Sequence, residues 1–226
     1  MSVDTIWEEA FTAEIASIEQ RTGTNPTEWR TGGRVSKANP NKEDKAWWDE
    51  NGKAMFQSFV TCWQETGLSI WTTPNGTPGV ELGFDVNFGK IRVKGFADLL
   101  AVNKAGELGV VDHKTGNYIP DGPMQLGLYA CLNELTYGVR PTWGAYYSAR
   151  KGQFIYIDNI DRWTIPLFTE LFAQFQRGLD AEIFLPNVGM ACGTCGVKEY
   201  CYAVGGQLSS IYDPLALLTR GEKNGK

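Results

Sequence analysis

Between Val80 and Lys114 the chain takes on a two-residue period. Val80, Leu82, Phe84, Val86 and Phe88 alternate with Glu81, Gly83, Asp85 and Asn87, the pattern of a strand buried on one face. Gly89-Lys90 turns the chain into Ile91, Val93 and the run Gly95-Phe96-Ala97-Asp98-Leu99-Leu100. A second turn, Asn103 to Gly106, leads to Leu108-Gly109-Val110-Val111-Asp112-His113-Lys114-Thr115-Gly116. Three strands joined in this way predict an antiparallel meander.

Helical patterns flank it. Ile6, Trp7, Ala10, Phe11, Ile15 and Ile18 predict an amphipathic helix over Asp4 to Arg21, stopped by Thr22-Gly23. A second helix is expected from Lys45 to about Glu65, with Thr66-Gly67 as its stop. Asp121-Gly122-Pro123 starts a third, carrying Gln125 to Leu135, because proline suits a first helical turn. Trp143 to Ser148 is a further strand with Phe154 to Ile157 as hairpin partner, and a last helix spans about Asp161 to Asp180. The expected class is α/β, a central mixed sheet flanked by helices. Residues 1–204 form one domain that includes the cysteine-bearing segment 186–202, and 205–226 form a tail.

Composition removes several classes. A chain of 226 residues, 42% hydrophobic and 21% charged, can bury a core and is not disordered. No apolar run approaches the roughly 18 residues of a membrane helix, and Met1 to Glu9 lacks the basic start of a secretory signal. Five cysteines, an odd number, point to a reducing, cytoplasmic setting. One histidine excludes His-rich metal sites and speaks against a Ser-His-Asp triad. The net charge of -5 argues against a non-specific nucleic-acid binder, but its distribution is uneven. Arg30, Arg34, Lys37, Lys42 and Lys45 face only Glu43 and Asp44 in a Gly-, Pro- and Asn-rich loop, followed by Trp47 and Trp48 as stacking platforms. Lys90, Arg92, Lys94, Arg150 and Lys151 could line a groove, although each alone is ordinary solvated surface. The eight tryptophans are expected mostly in the core.

The chemistry concentrates on the meander. Side chains two apart on a strand share a face, so Asp112 and Lys114 point one way and His113 the other. Asp98, on the preceding strand, is placed to stand beside Asp112. Two carboxylates at a strand end beside a lysine suit a hard cation such as magnesium or manganese. Such an ion polarises a phosphoryl oxygen and acidifies water, while the lysine stabilises charge and orients the nucleophile. A plain cross-strand ion pair would give the same residues. On the next helix Gln125 and Tyr129 are four apart and share a face suited to phosphate or base contacts. Alternatively, Tyr129 is core and Gln125 is simply exposed.

Gly95-Phe96-Ala97-Asp98, Asp112-His113-Lys114-Thr115-Gly116 and Gln125-x-x-x-Tyr129 together resemble the RecB-type branch of the PD-(D/E)XK nucleases, which includes CRISPR-associated adaptation exonucleases. The resemblance implies a restriction-endonuclease-like fold and a metal-dependent DNA exonuclease. It implies that Asp98 and Asp112 bind Mg2+ or Mn2+, that Lys114 acts on the attacking water, and that Gln125 and Tyr129 support substrate binding. Linear DNA or single-stranded ends would be the substrate, with a helicase or recombination protein as partner and recombination, repair or processing as the setting. One departure stands out. The family supplies a metal-binding His from a helix before the meander, and here Gly52-Lys53-Ala54-Met55-Phe56-Gln57-Ser58 has none. Gln57 could approach the metal or a water could take that place, and Glu81, opening the first meander strand, is another candidate acid.

Cys192, Cys195 and Cys201 form C-x2-C-x5-C in a non-periodic stretch, a spacing that suits zinc or an iron–sulfur cluster with a fourth ligand. Many RecB-type nucleases hold a 4Fe-4S cluster with such a trio and one distant N-terminal cysteine. The resemblance therefore implies that cluster, with Zn2+ as the alternative and Cys62 as fourth ligand; Cys131 reads as core. Two rival functions remain: a non-catalytic DNA-binding or adaptor module on the same fold, and a redox or zinc module.

Overall fold

A computed structural model describes residues 2–30, 42–183, 185–206 and 208. Arg34, Lys37 and nearly all of the expected tail 205–226 lie outside the described residues. Among the described residues the chain forms helices α1 (Val3–Thr22), α2 (Lys45–Thr66), α3 (Met124–Tyr137) and α4 (Ile165–Asp180). The strands are β1 (Ser69–Ile70), β2 (Val80–Phe88), β3 (Ile91–Val102), β4 (Leu108–Lys114), β5 (Trp143–Ser148) and β6 (Gln153–Ile157).

Local chemistry sets the helix ends. Ser2 Oγ accepts the Thr5 N–H and Asp44 accepts the Trp47 N–H, each satisfying a donor that the first turn leaves free. Gly23 and Gly67 close α1 and α2 with φ of 65° and 66°, a conformation glycine adopts without penalty. α4 begins later than the periodicity suggested. Ile160–Arg162 first make a 3-10 turn, and the α-helix starts one residue before Pro166, whose fixed φ suits a first turn.

The sheet order is β1-β3-β4-β5-β6, with β2 also paired to β3. β2, β3 and β4 are the antiparallel meander; β4 and β5 run parallel, joined through α3, and β6 returns antiparallel. The short β1 pairs with the second half of β3 and carries no sequence signal of its own. One sheet face packs Phe84, Phe88, Leu100, Val110 and Tyr146 against Leu126 of α3 and Phe168 of α4. The other packs Leu99, Ala101, Val111 and Tyr147 against Phe59, Cys62 and Trp63 of α2. α1 lies on α2 where Gly52 admits the indole of Trp7; a Cβ there would stand 2.4 Å from the ring. None of the eight tryptophans is fully buried, in contrast to the core role expected of them. Trp71 and Trp163 pack partly buried against one core cluster, and Trp63 and Trp143 against the other.

The chain divides into two compact units, Met1–Gln176 and Arg177–Lys226. The second unit contains the end of α4 and 3-10 turns at Met190–Thr194, Lys198–Tyr200 and Tyr202–Val204. Among the described residues no helix is long and apolar enough to cross a membrane.

Candidate active site

The β3–β4 ladder runs from Val102↔Leu108 to Leu99↔Val111, and one step further it sets Asp98 opposite Asp112. There a side chain takes over the pairing: Asp98 Oδ2 accepts the His113 N–H at 2.8 Å. Across β3, the pairs Val80↔Leu99 and Leu82↔Ala97 flank Glu81 and bring it opposite Asp98. Glu81 has φ 46°, a region that non-glycine residues seldom occupy and that is often found at functional positions. Glu81, Asp98 and Asp112 thus lie on three adjacent strands, at the step where the alternation of β3 switches: Ala97 packs into one sheet face and Leu99 into the other.

Asp112 is 2% exposed. Burial pushes its carboxyl above the ordinary value of 3.8 and the charge of Asp98 adds to this, while Lys114 opposes both. Lys114 Nζ lies 2.6 Å from Asp112 Oδ2 and donates to Gln125 Oε1 at 2.9 Å; Gln125 Nε2 donates to the Tyr129 hydroxyl at 3.1 Å. The four side chains form one polar chain from β4 to α3. The close ion pair is poorly angled, so Asp112 Oδ2 is buried without a directed hydrogen bond. Tyr146, beside Asp112 in the parallel register, donates to the Gly122 carbonyl at 3.1 Å. Burial and then Asp112 push its phenol up to about 12, so it stays protonated. Burial likewise raises Tyr129, with the three acids adding.

His113 turns to the other face, 5.0 Å from the Phe59 ring and 5.8 Å from that of Tyr147, and lines a cavity of about 380 Å³ with Glu81 and Asp98. Burial lowers its pKa from 6.5, against the pull of Asp98 and Glu81. A depressed histidine contributes stability that is present above 6.5 and lost as pH falls through its folded value. His113→Leu is therefore expected to flatten the fall in unfolding free energy between pH 7.5 and 5.5, read by urea titration. An unchanged slope would show that His113 does not carry that dependence.

Other candidates are placed elsewhere. Gln57 does not reach the carboxylates: its amide is bonded to Asp4 of α1, because the α2 face that meets the sheet carries Phe59, Cys62 and Trp63. Arg150 does not line an open groove. It holds Glu43 through two bonds of 2.6 and 2.8 Å and donates Nε to the Thr115 carbonyl at 2.8 Å. Its guanidinium lies 5.0 Å from the Trp47 ring and 5.4 Å from that of Trp48, so those indoles cover Arg150. Arg92 and Lys94 both pair with Asp85, while Lys90 and Lys151 are exposed. Cys131 is core, donating to the Trp163 carbonyl at 3.1 Å.

Asp98 and Asp112 fit a hard divalent cation: they offer oxygen donors from opposed strands, one of them buried and short of a hydrogen bond. Among the described residues no three His, Cys, Asp or Glu side chains are close enough to hold an ion by themselves. Two carboxylates suit an ion that keeps water and substrate oxygens as its remaining ligands, as magnesium does. The same count applies to the cysteine trio, whose thiols are not gathered around a common centre. Cys192 Sγ accepts the Gly189 N–H at 3.3 Å, and Cys195 is exposed.

A mixed sheet covered by helices on both faces, with its acids at one end of a meander, is a restriction-endonuclease-like fold. The family model for the PD-(D/E)XK nuclease superfamily matches residues 8–202, and the chain belongs to that superfamily. It is similar to the Gene 69 protein of Mycobacterium phage D29, 38% identical over 147 residues covering 62% of this chain and 54% of the relative. It is also similar to the Gene 69 protein of Mycobacterium phage L5, 32% identical over 176 residues covering 66% of this chain and 60% of the relative. The chain thus spans somewhat more than half the length of the curated relatives it matches.

Proposed function

We propose that the chain is a metal-dependent DNA exonuclease of the RecB type, acting in DNA recombination, repair or processing. The observation that carries the reading is the Asp98–Asp112 pair with Lys114 2.6 Å from Asp112, in a chain of this superfamily. A bound Mg2+ or Mn2+ would supply Lewis-acid polarisation of the phosphoryl oxygen. The protein supplies the rest. Asp98 and Asp112 hold the ion, and Asp98 is itself fixed by the His113 N–H. Lys114, steered by Gln125, orients the attacking water and offsets the charge that grows on the phosphate as water adds and one P–O bond to sugar breaks. Gln125 and Tyr129 support the substrate beside it.

Linear duplex, linear single-stranded and covalently closed circular DNA, each with Mg2+, Mn2+ or EDTA, test this. The expected result is metal-dependent release of nucleotides from linear DNA, closed circles left intact, and no release by Asp112→Ala. Cutting of closed circles would replace exonuclease by endonuclease. Binding without turnover under either ion would favour an adaptor, the reading that the absence of His, Asp or Glu at Gln57 makes worth testing.

The trio Cys192, Cys195 and Cys201 is proposed to ligate a 4Fe-4S cluster on its spacing and on the resemblance to RecB-type nucleases, with Zn2+ as alternative and Cys62 as candidate fourth ligand. Anaerobic purification is expected to give a coloured protein with broad visible absorption that is lost in Cys195→Ser. A colourless protein containing zinc would assign zinc, and one containing neither metal would remove the proposal.

A further inference from the structure

The solvent face of the β2–β3 ribbon leads toward Asp98. Arg92, Lys94 and Phe96 are exposed and share one face of β3, and Asp98 follows two residues on, where the alternation of the strand switches. Opposite them on β2 stand Asn87, Asp85 and Gly83. From Arg92 to Asp98 is about 20 Å of strand, roughly six base rises along one strand of DNA.

Phe96 is 64% exposed in the middle of β3. It lies over Gly83, where a Cβ would stand 3.1 Å from its edge. Covering a cross-strand glycine explains the ring's inner face; it does not explain the outer face left open two residues before Asp98. The charges beside it are poised for an anion. Arg92 and Lys94 share the single carboxylate of Asp85, at 2.6 and 3.4 Å, and Lys90 at the ribbon turn is exposed. Exposed pairs of this kind are weak, so a phosphate can take a cation from Asp85 at little cost.

We propose that this strip is a track for a single DNA strand, with Phe96 stacking on a nucleobase and Arg92 and Lys94 meeting its phosphates. It rests on the nuclease reading for its direction, because the strand would run toward Asp98 and Asp112. A ring and a point charge alternating along one face suit polynucleotide without regard to sequence, since every base has a face to stack on.

Binding of a fluorescein-labelled 30-nucleotide single strand, followed by anisotropy with the full chain in EDTA, tests the track apart from catalysis. Phe96→Ala and Phe96→Leu are expected to weaken binding roughly 5- to 100-fold, the effect of losing one base stack, while Phe96→Trp stays within about twofold. Leucine still covers Gly83, so a purely structural ring would leave Phe96→Leu equal to the parent and overturn the proposal. The parent should also bind a strand of abasic sites more weakly than the natural strand; equal binding would overturn stacking without any variant having to fold. Arg92→Ala and Lys94→Ala should each lower the salt slope by about 0.7. Failure of the parent to cleave any DNA with either Mg2+ or Mn2+ would sink the nuclease reading and leave these binding comparisons to decide the track.

Discussion

Asp112→Asn is expected to raise the melting temperature while removing hydrolysis. The native carboxyl titrates above its ordinary value, with burial as the main cause, so the folded chain holds that proton more tightly than the unfolded chain. Its contribution to stability is full below 3.8 and is lost as pH rises through the raised value. The ionised form of a 2% exposed Asp112 is therefore a cost to the fold, eased but not cancelled by Lys114. Asparagine keeps the shape and removes the charge. A gain of about 0.5–2 kcal/mol is typical of relieving a strained functional group, or about 1–8 °C in a chain of this size. Turnover should fall about 10³-fold or more, since a metal-binding oxygen and the partner of Lys114 go together. Differential scanning fluorimetry at pH 7.5, repeated at pH 5, checks the sign: the gain should shrink at the lower pH. A fall in melting temperature would mean that the Lys114 ion pair outweighs burial.

Arg150→Met carries the largest expected loss. Arg150 and Glu43 are mostly buried, with side chains 19% and 10% exposed, and they join positions 107 apart in the chain. Removing one member strands the other charge, which costs about 3–5 kcal/mol, or roughly 6–20 °C in melting temperature. The guanidinium also holds the Thr115 carbonyl, next to Lys114, so surviving activity should drop as well. Glu43→Gln combined with Arg150→Met should cost less than the sum of the two single changes. Additive losses would show that the two residues do not act as a unit.

These two residues also mark what the sequence could and could not convey. Parity on a strand was enough to put Asp112 and Lys114 together and His113 on the opposite face, because that alternation is fixed by backbone geometry. Helical spacing was enough for Gln125 and Tyr129, whose amide and hydroxyl meet at 3.1 Å. The partners of Arg150 were hidden, since an isolated arginine looks the same whether it faces solvent or a glutamate 107 residues away. Tyr146 was equally hidden, because its place beside Asp112 follows from a parallel register that passes through α3. Gln57 shows the limit of motif alignment. A position counted along a helix says nothing about helix rotation, and the apolar stripe of Phe59, Cys62 and Trp63 fixed that rotation with Gln57 turned toward α1. Glu81 was visible as an acid on a strand, but its left-handed backbone opposite Asp98 was not.

The central claim is that Asp98, Asp112 and Lys114 form one metal-dependent hydrolytic centre. Its most direct test is release of acid-soluble nucleotides from linear DNA by the parent chain and by Asp112→Asn, over a magnesium titration and with EDTA. Release by the parent that rises with magnesium, stops with EDTA and is absent at every concentration in the folded variant is the expected result. Equal release by parent and variant, or release by the parent that EDTA leaves untouched, would contradict it.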